Sequence, residues 1–277
     1  FQLGWDIDRK AVVQPEYYMP KVQAMLGEGV EFEPEWVSVY TFQCMSMDEY
    51  RHGRVFFAGD SAHQVSPFGA RGCNGGIQDV DNLGWKLAAV IKGEAGERLL
   101  DTYQEERKHG ADENILNSSR TTDFMTPKTE IAKLFRESVL DLVEHTDAMR
   151  PLVNSGRLSL PCVYDGSSLN GADDAALPQR TRVGATLADA PTDQGWLIDR
   201  IGGRFQLFTV NTDFKPEGLN LDLVDVIVAP DDLITERYLG AAEQAVYLIR
   251  PDQVIAARWV NPTAADVTAA LNTAMGG

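Results

Sequence analysis

Residues 54–92 set, in one order, an apolar run, an acid, a proline, spaced glycines and a long helical period. That order predicts a strand, a loop and a helix. Arg54-Val55-Phe56-Phe57-Ala58-Gly59 is compact and apolar and ends in glycine, as a buried strand does. A loop follows from Asp60 to Gly72. From Cys73 to Lys92, the residues Ile77, Val80, Leu83, Leu87 and Val90 fall three or four apart. The spacing predicts a helix with an apolar face, closed by Gly93. Such a strand delivers Asp60 at its C-terminal end, where ligands of open α/β sheets sit. A carboxylate there accepts hydrogen bonds from sugar or polyol hydroxyls. Glycines at 69, 72, 75 and 76 leave the backbone bare for close approach to a flat ligand. The helix N-terminus favours a group that carries or develops negative charge.

The rest of the chain frames this segment. Residues 1–8 alternate loosely and read as a strand, and Pro15 to Leu26 as a short helix whose regularity Pro20 limits. Glu35 to Gln43 is rich in aromatic and β-branched residues and reads as a strand, with Tyr40 and Phe42 on one face. Leu99–His109, Glu113–Phe124 and Lys128–His145 read as helices. Residues 150–182, rich in Gly, Ser, Asp, Asn and Pro, read as an ordered connector and the best domain boundary. Beyond it, Arg204–Val210, Leu223–Val228, Ala245–Arg250 and Val254–Trp259 read as strands. Pro262–Met275 reads as a terminal helix capped by Asn261.

Composition narrows the classes. A chain of 277 residues, 44% of them hydrophobic, can bury a real core and suggests about two domains. Disorder and a disulfide miniprotein are excluded. The net charge of −16, with no basic patch, argues against a nucleic-acid partner. No apolar run approaches the roughly 18–20 residues of a membrane helix. Cys44, Cys73 and Cys162 are scattered and form no CxxC or zinc spacing, so no metal site is expected and a cytoplasmic location is. The N-terminus lacks both a Met and a signal-peptide pattern, and the chain is expected to start inside a longer protein.

The segment Gly59-Asp60-Ser61-Ala62-His63, then Pro67 to Asp79, then Asn82-Leu83-Gly84-Trp85-Lys86-Leu87-Ala88 resembles a known signature. It is similar to the second flavin-binding motif of the FAD-dependent aromatic hydroxylases, the single-component flavoprotein monooxygenases that include p-hydroxybenzoate and phenol hydroxylases. The resemblance implies an α/β fold in two parts. Residues 1–150 would be the C-terminal part of the FAD-binding monooxygenase domain, with a remnant of the substrate-domain sheet and a helical segment. Residues 151–180 would connect it to a thioredoxin-like α/β domain at 181–277. The family's first GxGxxG motif, which binds the ADP half of FAD, has no match here, so this chain alone is expected to bind FAD weakly or not at all.

The resemblance also implies roles. Gly59 and Asp60 would hold the ribityl chain of FAD. Pro67 would lie beside the isoalloxazine ring, its carbonyl facing the substrate or the flavin hydroperoxide. Gly69 and Gly72 would let the loop pass the ring, and backbone N–H groups from Gly72 through Cys73 to Asn74 would face its pyrimidine end. NAD(P)H would reduce the flavin, O2 would add, and an oxygen atom would pass to a small phenolic substrate. Tyr40 and Phe42 either line the substrate pocket or pack ordinarily. Arg71 either attracts an anionic substrate or makes a solvent-facing salt bridge. His63 has no acidic partner at a recognisable spacing and is read as structural. The last domain has no cysteine where thioredoxins carry CxxC, so it is expected to serve packing or homodimer contacts. Two other readings stay open: another flavoprotein of the superfamily, a halogenase or epoxidase, and a truncated fragment with no activity alone.

Overall fold

The computed structural model describes residues 3, 7–67, 69–153, 161–192, 194–219, 221–227 and 232–277. It opens with α1 (Pro15–Leu26), none of whose residues is buried. Four two-residue strands follow: β1 (Met45–Ser46), β2 (Arg51–His52), β3 (Val55–Phe56) and β4 (His63–Gln64). They pair antiparallel as β1 with β4 and β2 with β3. Then come α2 (Arg71–Ile91), α3 (Arg98–Met125), α4 (Glu130–His145) and the short α5 (Arg150–Val153). The second part holds β5 (Pro191–Thr192), β6 (Gly195–Trp196), β7 (Gln206–Val210), β8 (Asp222–Val226), β9 (Ala245–Ile249), β10 (Ile255–Trp259) and α6 (Ala264–Ala274).

The four long strands form one sheet in the order β10-β9-β7-β8. β7 pairs parallel with β8, Leu207 opposite Leu223, and antiparallel with β9, Leu207 opposite Leu248. Every residue of β7, β9 and β10 is buried, because both faces of the sheet are covered. Phe208, Val210, Tyr238 and Tyr247 pack on one face, and Leu207, Leu248, Trp259, Val267 and Ala270 on the other, beneath α6. That double burial explains the continuous apolar run Ala245–Ile249. The connector covers the β10 edge: Gly171 N–H donates to Ala256 O and Ile255 N–H to Ala185 O. α6 starts later than expected. Its cap is Thr263, which exchanges hydrogen bonds with Asp266 in a capping box, rather than Asn261.

Three further expectations fail for physical reasons. Glu35–Gln43 forms no strand; Trp36 is 82% and Tyr40 74% exposed. Aromatic and β-branched composition describes fitness for a pleated surface, and among the described residues nothing pairs with this stretch. The buried strand expected over Arg54–Gly59 shrinks to Val55–Phe56, a hairpin arm with Val55 exposed. The two helices expected over Leu99–Phe124 are one, α3. Gly110, between the two expected helices, is an interior position where a Cβ would stand 3.0 Å from Arg107 Nη1 and 3.7 Å from Cys162 Cβ. The glycine makes room there, against a helix cost of about 1 kcal/mol relative to Ala. The strand expected over residues 1–8 lies largely outside the described residues; Leu3, Ile7 and Asp8 are in no strand.

Candidate functional site

The segment that carries the motif is built around Asp79. Gly59, Asp60 and Ser61 form a single 3-10 turn between β3 and β4. The Gly59 N–H donates to Asp79 Oδ2 at 2.8 Å. His63 Nε2 meets the same oxygen at 2.7 Å, and Arg107 Nε donates to Oδ1 at 2.7 Å. Asp79 is fully buried. Burial would raise its pKa, but the His63 hydrogen bond, the Arg107 guanidinium and the Gly59 N–H outweigh burial and hold the carboxyl below its ordinary range. His63 therefore has an acidic partner, sixteen residues on, which the sequence spacing did not reveal. Gly75 and Gly76 complete the clamp. A Cβ at Gly75 would meet His63 Cε1 at 3.2 Å, and one at Gly76 would meet Gly59 Cα at 3.4 Å. These two glycines let α2 lie against the turn.

The loop before α2 bends through Gly69 (φ 91°) and Ala70 (φ 52°), both left-handed. The Pro67 carbonyl accepts from the Ala70 N–H at 3.1 Å, closing the bend and using one lone pair. Ser66 Oγ pairs with Ser118 Oγ at 2.5 Å, which pins the loop to α3. α2 starts at Arg71, two residues before the expected start, with no side-chain cap. Gly72, Cys73 and Asn74 thus occupy its first turn, Cys73 and Asn74 exposed. Gly72 is helical there and has no positive φ. Asn74 Nδ2 donates to Ala70 O at 2.8 Å. Asp60 is exposed on the adjoining turn. Arg71 is half-buried and donates to Asn114 Oδ1 on α3 at 2.5 Å. Tyr40 and Phe42 stack with centroids 6.4 Å apart, on the irregular exposed stretch before β1.

The face of α2 turned inward is polar. Gly75, Asp79, Asn82, Lys86 and Ala89 are buried, while Ile77 is 62% and Val80 64% exposed. The period of the helix is as expected; the buried face is rotated from the expected one, with Leu83, Leu87 and Val90 half-buried at its margin. Pairs Arg71–Asn114, Asp79–Arg107 and Asn82–Glu106 show α2 and α3 running antiparallel. Glu106 accepts from Lys86 Nζ at 2.8 Å, Asn82 Nδ2 at 2.7 Å and Ser167 Oγ at 2.7 Å. Arg250, at the end of β9, adds a two-pronged contact to Glu106 and another to Asp252. Burial pushes the Lys86 ammonium down to about 8, partly offset by Glu106. Glu106 stays ionised despite burial, because Arg250 and Lys86 outweigh it. Asp79, Asn82 and Lys86 all stand in the motif at helical spacing, three and four apart; that polar stripe was the signal for this network. Elsewhere on α3, His109 and Glu113 converge on Cys162.

Residues 8–118 match the family model described as FAD binding domain. Over that span the chain belongs to the FAD-binding domain family, and the relatives it matches are named monooxygenases and hydroxylases. Rifampicin monooxygenase of Rhodococcus hoagii is 32% identical over 260 residues, covering 92% of this chain and 50% of that protein. The 3-(3-hydroxy-phenyl)propionate/3-hydroxycinnamic acid hydroxylase of Mycolicibacterium gilvum (strain PYR-GCK) is 33% identical over 189 residues, covering 66% of this chain and 33% of that one. The chain thus spans half or less of the length of these relatives. The crystal structure of the flavin-dependent monooxygenase PieE in complex with FAD and substrate superposes with a TM-score of 0.72 at 22% identity, over 97% of this chain and 55% of PieE, and so shares its fold. The FAD-binding match contains the whole Asp79 clamp and the polar face of α2. No described helix is long and apolar enough to cross a membrane.

Proposed function

We propose that this chain supplies the flavin-ring side of an FAD- and NAD(P)H-dependent monooxygenase that hydroxylates a phenolic substrate. The observation that carries the reading is the clamp at Asp79, which holds the Asp60 turn against the first turns of α2. The residues fit the cofactor. Asp60 offers an exposed carboxylate to ribityl hydroxyls. The uncapped start of α2 offers the N–H groups of Gly72 and Cys73 to the pyrimidine end, which becomes negative on reduction, while the Asn74 N–H closes the first helical bond to Ala70 O beside them. Gly69 and Ala70 bend the loop without bulk. FAD, reduced by NAD(P)H, supplies the oxygen chemistry with O2; the chain's residues bind and orient it. In this reading Pro67 would lie beside the ring, its carbonyl, which accepts from the Ala70 N–H, having a second lone pair to offer a ligand.

The phenolic substrate rests on the likeness to the hydroxylase named for hydroxyphenyl and hydroxycinnamic acids. Tyr40 and Phe42 would offer flat apolar rings, and Arg71 a cation for an anionic group. We further infer a thioredoxin-like domain over 181–277, with 151–180 as its connector. Its support is a sheet of order β10-β9-β7-β8, with β7 and β8 parallel and β9 and β10 antiparallel, and no cysteine beyond Cys162. A packing role, with contacts to a second copy, fits a domain without a redox pair. A reducing, cytoplasmic setting suits three cysteines that form no disulfide.

The test is a titration of this chain with FAD and with FMN, followed by flavin absorbance. Binding through the ring and ribityl chain alone gives both ligands similar, weak affinity. A chain that keeps one FAD through gel filtration while ignoring FMN would overturn the assignment, because the adenylate end would then be held here.

A further inference from the structure

The connector brings Cys162 to α3, where His109 and Glu113 stand one turn apart on the same face. The ligand atoms of the three side chains all lie within 4.8 Å of one another. We propose that His109, Glu113 and Cys162 bind a divalent transition-metal ion of the zinc type. Nitrogen, carboxylate oxygen and thiolate sulfur are the donors that zinc takes, at bond lengths of about 2.0–2.3 Å. A tetrahedral site with those bonds spaces its donors roughly 3.3–3.7 Å apart. Side-chain rotations of about an ångström close the remaining gap.

Charge supports the assignment. A Glu113 carboxylate and a Cys162 thiolate carry two negative charges and neutralise a divalent ion, and binding releases the thiol proton to solvent. Arg107 is one neighbouring cation: a Cβ at Gly110 would lie 3.0 Å from its Nη1 and 3.7 Å from Cys162 Cβ. Its guanidinium is already committed, to Asp79 at 2.7 Å and to the Tyr164 hydroxyl at 2.8 Å. The exclusion of side-chain bulk at Gly110 lets Cys162 reach the helix surface at this level.

Three protein ligands leave one position of a tetrahedral ion open, the arrangement of ligand-binding zinc rather than of closed structural zinc. His109 and Glu113 line an open cavity of about 620 Å³, whose wall also carries Gln179, Arg180 and Arg182. The open position faces a site suited to a small oxyanion or a carboxylate, with the arginines as its counter-charges. None of the three ligands belongs to the Asp60–Asn74 loop, and the metal test needs no flavin.

Cobalt is the probe, because its spectrum reports sulfur ligation. In a Cys44→Ser, Cys73→Ser background, the chain should bind one Co2+ and show a near-ultraviolet sulfur-to-cobalt charge-transfer band, both displaced by Zn2+. Cys162→Ala should abolish the band. His109→Ala, at an exposed position that leaves the core intact, should weaken Co2+ binding at least about tenfold, in line with the loss of a directly bonded ligand. His145→Ala, which removes a different histidine paired with an acid one turn away, should change nothing. Co2+ that binds without a sulfur band, fails to bind at all, or binds the His109→Ala variant as tightly as the parent would overturn the proposal.

Discussion

Arg250 donates through both terminal nitrogens to the carboxylate of Glu106, at 2.5 and 2.9 Å, across 144 positions of chain. The contact joins the end of β9 to the middle of α3, and neither side chain reaches solvent. The sheet part of the molecule is therefore fixed to the helix that backs the flavin motif. Asp252 takes the other edge of the guanidinium at 2.6 and 3.0 Å, so Arg250 is enclosed by two acids.

Removing Glu106 leaves Arg250 and Lys86 buried with too little negative charge. Glu106→Ala should destabilise the chain by about 3–5 kcal/mol, the cost of breaking a buried ion pair from one side. Urea unfolding followed by circular dichroism measures it. Glu105→Ala, one position away and exposed, should cost much less. Equal losses in the two variants would show that the network contributes nothing beyond a surface contact.

Lys86 gives the network a pH dependence with a defined sign. Burial lowers its pKa to about 8 from 10.5. Between those values the unfolded chain holds the proton more tightly than the folded one, so stability rises as pH rises. Below about 8 the cost of the buried ammonium is fully present; above 10.5 it is gone. Lys86→Met should flatten the stability profile over that window. A parent profile that falls from pH 8 to 10, with Lys86→Met rising instead, would reverse the assignment.

The clamp makes a different prediction. Asp79→Asn keeps the size of the side chain but removes the charge that Arg107 faces and an acceptor shared by His63 and the Gly59 N–H. The turn carrying Asp60 should loosen, so FAD retention by the complete protein should fall in Asp79→Asn and in Asp60→Ala alike. The two differ in stability: Asp79→Asn should lower the melting temperature, and Asp60→Ala, at an exposed site, should not. The acid limb should also differ. The depressed Asp79 carboxyl contributes stability above its ordinary value of 3.8, lost as pH falls below it, and the Asp79→Asn variant should lack that limb.

These sites show what a sequence of this kind discloses. β7, β9 and β10 were legible because both of their faces are buried, which leaves an apolar run that needs no knowledge of its partners. The period of α2 was legible for a similar reason. Which side it buries was not, because the partners of Asp79 and Lys86 lie on α3, 28 and 20 residues on, and Arg250 lies farther still. Apolar spacing favoured Ile77 and Val80, while distant charges drew the neighbouring polar face inward. The Glu35–Gln43 stretch failed on the same ground: a strand exists only with a neighbour, and composition cannot supply one.

The loop glycines allow a last test, since only one of them is conformationally required. Gly69 sits at φ 91°, where an L side chain is strained, and it precedes Ala70, already left-handed at 52°. Gly72, by contrast, lies within the first turn of α2 without a positive φ, and a Cβ there would meet Val65 Cγ1 at 3.8 Å, an ordinary contact. Gly69→Ala should therefore cost roughly 1–3 kcal/mol in loop strain or shift the bend, whereas Gly72→Ala should be neutral or slightly stabilising, because Ala loses less chain entropy in a helix. In the complete protein the consequence follows from the bend. Gly69→Ala moves the start of α2 relative to Asp60, so flavin affinity and reduction by NAD(P)H should both fall, while Gly72→Ala should retain the flavin. Stopped-flow reduction and flavin retention on a desalting column read the two effects. If Gly72→Ala releases the flavin and Gly69→Ala does not, the ring passes closest to the first turn of the helix rather than leaning on the bend before it.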